Sequence, residues 1–302
     1  MTAASPGTVR RSVIAGSWYP GTEQALRRMV ADYVARVDQP LVSGHLHGLI
    51  SPHAGYVYSG QTAAYAYRQL QGRPVGTVVV LAPSHRTWFD TCAVSAEDTY
   101  ETPLGRVPID RDWVEALAGR MRLQPIRGDA EHSLEIQLPF LQIMLGSFKL
   151  VPILMSADDP ELARQLARAL FETAGQTPGG RGDLLLVASS DMHHIPDYDE
   201  VLRRDRPVVD AVAAYDLQAL TPLLMDRHCS VCGRIPILTV LHACRLLGAD
   251  AVQVLHYITS GDVTGQRRAG EYTVGYMSAA IFQRTLLSAP ACQPEAKDGG
   301  AL

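Results

Sequence analysis

The chain lacks the features that mark membrane proteins, nucleic-acid-binding proteins and secreted proteins. No apolar run reaches the roughly 18 residues that are needed to span a bilayer. No basic run is longer than two residues, and the net charge is −4, so a nucleic-acid footprint is not expected. Residues 1–11 contain no apolar core of a secretory signal. Partners made of nucleic acid or membrane are therefore not predicted.

Cysteine is scarce as well. Five cysteines among 302 residues, an odd number, predict reduced thiols and a cytoplasmic location instead of a disulfide framework. Cys229 and Cys232 form a CxxC, but no second CxxC follows, so a closed structural zinc site is not expected. A single thiolate before the next helix is favoured instead, because the positive end of a helix lowers a thiol pKa.

Apolar runs alternate with helical periodicity over nearly the whole chain. The hydrophobic content of 47% is ordinary for a protein with a large core. The alternation predicts a single α/β domain over residues 11–285, with a central mixed β-sheet and helices on both faces. The polar residues 1–10 and the Ala-, Pro- and Gly-containing residues 286–302 are predicted to be disordered ends.

Three apolar runs, at 47–51, 77–82 and 184–190, each end in a loop that carries histidine. The titratable residues in these loops are His53, His85, Asp191, His193 and His194. Open α/β sheets place functional groups at the carboxyl ends of their strands, so these side chains are expected to meet in one site. One such histidine is more often structural, whereas three at equivalent positions favour a shared function.

The residue types in these loops indicate a metal site. Neutral imidazole is the commonest ligand of first-row transition metals, so His53 and His85 are expected to bind one ion. The third ligand stays open among Cys232, Asp191, Glu135 and His194. Two histidines with one anionic ligand suit a non-haem iron(II) oxygenase, and they suit a catalytic zinc hydrolase equally well. A triad of Ser190, Asp191 and His194 is disfavoured, because no G-x-S-x-G elbow is present.

Two further stretches carry candidate pocket residues. Trp18 lies in an aromatic loop, and Tyr56 and Tyr58 follow a proposed ligand directly, so all three are predicted to line the opening of a pocket. The alternative is that these aromatic side chains pack over the hydrophobic core and have only a structural role.

In the second stretch, Glu131 and Glu135 are four residues apart and would share one face of a helix, with His132 beside them. His132 is placed in the same pocket. The alternative is a solvated helix face.

Several motifs together resemble the MEMO family. They are Ala15–Pro20, Pro52–Gly60, Pro83-Ser84-His85, Glu131–Glu135, Ser189-Ser190-Asp191 with His194, Cys232-Gly233 and Ser260-Gly261-Asp262. The resemblance runs from about Arg11 to Arg284, which is most of the chain. The family includes the mammalian mediator of ErbB2-driven cell motility, and its prokaryotic members are called AmmeMemoRadiSam system protein B.

The resemblance implies a fold similar to the LigB-type class III extradiol dioxygenases. It also implies a metal site of two histidines and one cysteine, which carry over to His53, His85 and Cys232. In the dioxygenases the third ligand is a carboxylate. A thiolate in its place changes the charge, softness and redox behaviour of the site, which argues against plain catechol cleavage.

The resemblance also points to His194 as the acid/base residue. Orientation by Asp191 or Glu135 would fix its tautomer and raise its pKa toward neutrality, which suits proton transfer. The rival is His193, which points the other way if the segment is extended.

The function that follows is a dioxygenase-like, metal-dependent oxidoreductase acting on a small molecule. Iron(II) is the expected ion, with copper and zinc as alternatives. A second hypothesis is a non-enzymatic module that binds a peptide or partner protein in the same pocket, and a third is a zinc-type hydrolase. The family name suggests radical-SAM and AMMECR1-like partner proteins.

Overall fold

The computed structural model describes residues 7–177 and 179–285. The helices are α1 Glu23–Ala35, α2 Tyr56–Arg68, α3 Arg111–Ala118, α4 His132–Glu135, α5 Leu138–Leu145, α6 Pro160–Ala174, α7 Tyr198–Ala213, α8 Leu217–Leu224, α9 Arg234–Leu246 and α10 Ser260–Thr264, with a 3₁₀ turn at Gly180–Asp183. The strands are β1 Val9–Arg10, β2 Gly44–Ser51, β3 Thr77–Pro83, β4 Cys92–Ser95, β5 Thr99–Thr102, β6 Gly105–Pro108, β7 Leu123–Ile126, β8 Lys149–Met155, β9 Leu184–Ser189, β10 His194–Asp197, β11 Ala251–Thr259 and β12 Ala269–Arg284. None of the helices in these ranges has both the length and the apolar character that crossing a bilayer requires.

A mixed sheet of nine strands forms the centre of the described chain. Its strand order is β10-β12-β2-β9-β3-β8-β4-β7, and β11 pairs with residues 275–282 of β12. The four neighbours β2, β9, β3 and β8 run parallel to one another, whereas β12 runs antiparallel to β2. These four strands are almost continuously buried, as expected for parallel strands that are covered on both faces.

Helices cover the sheet. Helix α9 packs against β2, β9 and β3, while α2 packs against β2, β11 and β12. The approach of α9 is close: a Cβ on Gly48 of β2 would lie 2.7 Å from the Sγ of Cys244, so this strand position requires glycine. The predicted α/β fold, with a central mixed sheet flanked by helices, is confirmed.

A small second sheet corrects the expected N-terminal boundary. Strand β1 pairs in parallel with β5, and β5 pairs with β6 in a hairpin. The side chain of Arg10 is buried and pairs with Asp129 and Glu135. Val9 and Arg10 are therefore part of the folded domain, although the sequence placed them in a disordered end. The predicted tail at 286–302 lies outside the described residues.

Helix α2 begins at Tyr56, directly after the loop that carries His53. Ser59 lies inside the helix, and its hydroxyl donates to the carbonyl of Ala54 at 2.9 Å. The motif Ser260-Gly261-Asp262 forms the start of α10, whose N-terminus Thr259 and Asp262 cap as a capping box.

Candidate metal centre

The carboxyl ends of three adjacent parallel strands meet at one edge of the sheet. In register, Ser51 of β2 lies beside Ser189 of β9, whose neighbour Ala188 lies beside Leu81 of β3. The loops that follow these strands carry the predicted histidines, and Cys232 enters from the segment just before α9. One ligand atom from each of His53, His85 and Cys232 lies within 4.8 Å of the others. Bonds of about 2.0–2.3 Å let a single ion bridge donors that are about 4–5 Å apart.

The ring of His53 is fixed by a chain of hydrogen bonds. Its Nδ1 lies 2.9 Å from the Oγ of Ser189, which also lies 2.6 Å from the carbonyl of Ser133. The Nε2 of Gln137 donates to that same Oγ at 2.8 Å and to the carbonyl of Pro52 at 3.0 Å. Ser189 has one hydroxyl proton, which the carbonyl of Ser133 takes, so Ser189 accepts from both other groups. His53 therefore carries its proton on Nδ1, and its Nε2 is free to bind an ion.

Glu131 fixes the tautomer of His85, as Ser189 fixes that of His53. The Nδ1 of His85 lies 3.0 Å from Oε1 of Glu131, so Nε2 is the atom left to coordinate. The same carboxylate accepts from the backbone N–H groups of His132 and Ser133 and thereby caps α4. Burial alone would raise the pKa of Glu131, but its bonds from His85 and the helix amides lower it to about 2. The carboxylate is therefore ionised and holds both the ligand and the helix.

Cys232 completes the set. Its Sγ lies 3.0 Å from Nε2 of His53, and the backbone N–H of Asp191 donates to the sulfur at 3.3 Å. Burial and the nearby Asp191 raise the pKa of the Cys232 thiol, which corrects the expectation that the start of α9 lowers it. A bound cation would replace the thiol proton, since metal ligation by cysteine requires the thiolate.

The donor set fits a transition-metal ion. Two imidazole nitrogens with fixed tautomers face one soft sulfur, and no carboxylate is bound among them. A second group of donors, His85, Glu131 and His132, also lies within 4.8 Å. It suits an ion less well, because both oxygens of Glu131 already accept N–H groups.

Asp191 lies directly behind the ligands. It is buried, its Oδ1 accepts the N–H of His53 at 2.7 Å, and its Oδ2 lies 4.0 Å from Nε2 of His53. Burial raises the pKa of Asp191 to about 7, against the backbone hydrogen bonds from His53 and Ala54 that lower it. It organises the loop of His53, and it does not contact His194 by a hydrogen bond in the described network.

A cavity of about 520 Å³ opens beside the ligands. Its wall includes the predicted pocket residues Trp18, Tyr58 and His132, and the predicted catalytic residues His194 and Asp191. The ring of His132 lies 4.2 Å from that of Trp18 and 4.8 Å from that of His85, between centroids, so it joins the wall to the metal centre. Burial lowers the pKa of His132 to about 4, so its imidazole is neutral.

His194 faces this cavity from the first position of β10, whereas His193 points to the opposite side. The Nε2 of His194 is buried without a hydrogen-bond partner among the described residues, and its Nδ1 lies 3.4 Å from the hydroxyl of Tyr272. Burial, with a contribution from His85, lowers the pKa of His194 to about 4. The expected orientation by a carboxylate, and the expected rise of its pKa toward neutrality, are therefore corrected.

Tyr56 does not line the cavity. Its ring is buried, 5.1 Å from that of Phe140, and its hydroxyl donates to the carbonyl of Ile136 at 2.8 Å. Because α2 begins at Tyr56, residues two apart point to different faces of the helix. Tyr58 is the one that reaches the opening, and 44% of its surface is exposed.

Glu135 is also away from the cavity. It is fully buried, pairs with Arg10, and accepts from the hydroxyls of Ser12 at 2.5 Å and Tyr19 at 2.7 Å. The backbone N–H of Val13 donates to it at 3.0 Å. Its role is to anchor the N-terminal segment, which in turn carries Trp18 to the cavity wall.

The sequence did not single out several residues of the site. Ser189 and Gln137 set the tautomer of His53, and Arg86, Tyr272 and Tyr276 complete the cavity wall. Ser189 stood at the end of an apolar run, which is a usable signal. Gln137 and Tyr276 carry no sequence signal, because they reach the site only through tertiary packing.

Comparison with known proteins adds family membership to this geometry. The family model described as Memo-like protein matches residues 10–280. A MEMO1 family protein of Methanothermobacter thermautotrophicus is 34% identical over 279 residues, which cover 89% of this chain and 98% of that protein. One from Archaeoglobus fulgidus is 35% identical over 269 residues (89% and 97%), and one from Nitrosopumilus maritimus is 31% identical over 276 residues (89% and 98%).

Proposed function

The chain belongs to the Memo-like protein family, and on that premise we propose that it is a non-haem, metal-dependent oxidoreductase acting on a small molecule. One observation carries the proposal: His53, His85 and Cys232 converge within 4.8 Å beside an open cavity. Two neutral histidines and a thiolate suit a redox-active ion, and the cavity gives a small substrate room beside it.

Iron(II) is the proposed ion, with copper and zinc as alternatives. When bound, a redox-active ion of this kind would supply one-electron chemistry beside the cavity. The ligands are held by groups that take no part in binding: Ser189 holds His53, and Glu131 holds His85. A zinc ion would instead favour the hydrolase alternative.

His194 is the proposed proton acceptor. Its buried Nε2 has no protein partner and faces the cavity, and its low pKa keeps the ring neutral at pH 7. A neutral imidazole can take a proton from a substrate held beside the ligands. Trp18, Tyr58 and Tyr272 form an aromatic wall beside this imidazole.

The test is metal content together with oxygen consumption. Protein purified from iron-, copper- and zinc-supplemented cultures is analysed for bound metal, and the reduced iron or copper form is then assayed for O₂ uptake. His53→Ala, His85→Ala and Cys232→Ser are each expected to lose most of the metal. His45→Ala, at the opposite end of β2, is the matched control and should bind metal like the wild type. Wild-type metal content in all three ligand variants would overturn the proposal.

A binding module for a peptide is the second candidate, because the mouth of the cavity is apolar and exposed. Val57 and Tyr272 are 63% and 66% exposed and lie beside Tyr58. Peptides can be selected from a random library against the metal-free protein. Their binding would support this alternative if Tyr58→Ala and Tyr272→Ala lower the affinity and Cys232→Ser does not. Peptide affinity that is unchanged by both tyrosine substitutions would contradict it.

Further parts of the proposal rest on family resemblance. We propose a relation to the LigB-type dioxygenases, kinship with the prokaryotic AmmeMemoRadiSam proteins, and radical-SAM and AMMECR1-like partners. A cytoplasmic location is proposed because Cys92, Cys229, Cys232 and Cys244 are all free thiols in the described chain. Affinity purification of the tagged protein from its own cells tests the partners.

A further inference from the structure

One cation stands on the wall of the cavity at the metal centre. Arg86 is the only lysine or arginine among the described residues that line this cavity, and Asp191 is the only carboxylate. The guanidinium of Arg86 forms neither an ion pair nor a hydrogen bond with any residue of the described chain. Metal binding and proton transfer at His194 leave Arg86 without a role, so its charge needs an explanation of its own.

The carboxylate on the same wall does not neutralise Arg86. Asp191 is buried, and its Oδ1 accepts the backbone N–H of His53 at 2.7 Å. Its Oδ2 lies 4.0 Å from Nε2 of His53. Asp191 is therefore engaged with the loop of His53 and makes no ion pair with Arg86. The positive charge of Arg86 remains unbalanced at the wall, and it favours a ligand with negative charge.

The backbone holds Arg86 beside the metal centre. Arg86 follows the ligand His85 directly, so their Cα atoms are about 3.8 Å apart. The backbone N–H of His85 donates to Glu131 at 2.5 Å, and its Nδ1 lies 3.0 Å from the same carboxylate. The base of Arg86 is therefore fixed, although its side chain is exposed. A group bound to the guanidinium would lie within the length of one small molecule from the ion.

The rest of the wall is suited to the apolar body of a ligand. Trp18, Tyr58 and Tyr272 line the same cavity as Arg86. Binding sites of this kind combine apolar walls with a few polar groups that orient the ligand. A guanidinium matches the two oxygens of a carboxylate with two parallel hydrogen bonds. It balances one negative charge, and the described wall offers no second arginine or lysine for the further charge of a phosphate dianion.

We propose that Arg86 is the specificity residue of this cavity, and that it selects small monocarboxylates whose apolar body lies against the aromatic wall. The inference rests on the proposed function, because it names the class of substrate that the metal centre would act on. Arg86 binds one end of the substrate, and the metal ligands and His194 face the remainder. No bond is made or broken at Arg86, whose role is to bind and orient.

A solvated loop arginine is the competing explanation. In that case Arg86 adds to the charge of the surface, and its loss leaves the cavity equally selective. Benzoate and benzamide separate the two explanations, because they have nearly the same shape and differ in charge. Only a guanidinium that contacts the ligand gives a preference for benzoate that disappears with the guanidinium.

The experiment titrates the full-length, ¹⁵N-labelled protein with benzoate or benzamide at pH 7.5 and follows the indole N–H signals by NMR. Trp18 lies on the cavity wall, whereas Trp113 is buried in α3 and lies outside the wall. Binding in the cavity should therefore shift the signal of Trp18 and leave that of Trp113 in place. The wild type is expected to bind benzoate about 5-fold more tightly than benzamide, as for a well-formed exposed ion pair.

Three variants test the role of the guanidinium. Arg86→Gln should reduce the preference for benzoate to less than about 2-fold, because the charge is lost while a polar side chain remains. Arg86→Lys should keep part of the preference, since it retains the charge without the planar fork. Arg168→Gln is the matched control, because Arg168 is exposed on α6 and does not line the cavity. It should show the wild-type preference.

Removal of the metal separates this inference from the proposed function. The titrations are repeated after treatment with a chelator. A preference for benzoate that persists without the ion and is lost in Arg86→Gln supports the role of Arg86, even if the metal content or the oxygen uptake contradicts the oxidoreductase. A preference that disappears with the metal and is unchanged in Arg86→Gln would show that the ion binds the carboxylate, and it would overturn the proposal.

Three further results would also overturn it. One is an equal preference for benzoate in the wild type and in Arg86→Gln. Another is a signal of Trp18 that does not shift at millimolar benzoate. The third comes from phenyl phosphate, which is a dianion at this pH: if it bound more tightly than benzoate, the cavity would select a doubly charged group and not a monocarboxylate.

Discussion

The Nδ1 of His53 lies 2.9 Å from the Oγ of Ser189, and Ser189 must accept this bond because its only proton goes to the carbonyl of Ser133. The serine thus decides which nitrogen of His53 is free for an ion. Replacing Ser189 by alanine should leave the His53 ring without its partner and weaken metal binding by about 10- to 100-fold. Competition with a chromophoric chelator measures this affinity.

Ser278→Ala is the matched control for that serine. Ser278 is buried on β12, but its hydroxyl has no hydrogen-bond partner in the described structure. Its loss should leave metal affinity unchanged. Equal affinity in Ser189→Ala and Ser278→Ala would show that the hydrogen bond does not set the tautomer of the ligand.

The buried pair of Arg10 and Glu135 should stabilise the whole N-terminal segment. Glu135→Ala removes the acceptor of Arg10, Ser12 and Tyr19 at once and leaves a buried guanidinium that retains only Asp129 as a carboxylate partner. We expect a loss of unfolding free energy of about 3–5 kcal/mol, measured by urea denaturation. The fluorescence of Trp18 in the native state should shift to the red, since its segment loses its anchor.

The control for Glu135 is the exposed Glu161 at the start of α6, where alanine should change the unfolding free energy far less. The double variant Arg10→Met/Glu135→Ala should be less destabilised than the sum of the two single variants, because neither member of the pair is left buried without the other. If the changes in unfolding free energy were strictly additive, the side chains of Arg10 and Glu135 would not be energetically coupled.

His194→Ala should separate metal binding from proton transfer. The imidazole faces the cavity and is not among the ligands, so the variant should keep its metal and lose turnover by about 10²- to 10⁴-fold once a substrate is in hand. His193→Ala is the neighbouring control and should turn over normally, because its ring faces the other side. Loss of metal in His194→Ala would make His194 a ligand instead.

Protein stability should fall on the alkaline side because of His193. Its folded pKa of about 9 lies above the unfolded value of 6.5, so the protonated ring stabilises the fold fully below pH 6.5. That contribution, on the order of 2 kcal/mol, is lost as the pH rises from 6.5 through 9. The groups that face the ring are Asp205 and Cys229, with Tyr257 behind the carboxylate.

Urea denaturation at pH 6, 7.5 and 9 measures this slope. His193→Gln should show a flatter profile than the wild type over the same range. Tyr257→Phe, which keeps the charge pair but removes a bond to the carboxylate, should retain most of the slope. Identical slopes in the wild type and in His193→Gln would remove His193 as the titrating group.

The sequence by itself determined the central strands of the fold and the identity of the candidate metal ligands. Continuous apolar runs such as residues 77–82 are typical of strands covered on both faces, so they predicted the central strands of the sheet. Parallel strands end at one edge, and this constraint alone brought the loops of His53 and His85 together. For Cys232 the motif resemblance was needed, because nothing in the spacing selects it over the other candidates.

Only the tertiary structure decided which way each candidate side chain points. Two positions along helix α2 separated Tyr56, in the core, from Tyr58, at the opening. Adjacent positions at the start of β10 sent His193 to Asp205 and His194 to the cavity. Burial lowers the pKa of His194, and contacts raise the pKa of His193. The residues that cause both effects are far away in sequence. Local patterns carry no information about such neighbours, because contact and desolvation exist only once the chain has packed.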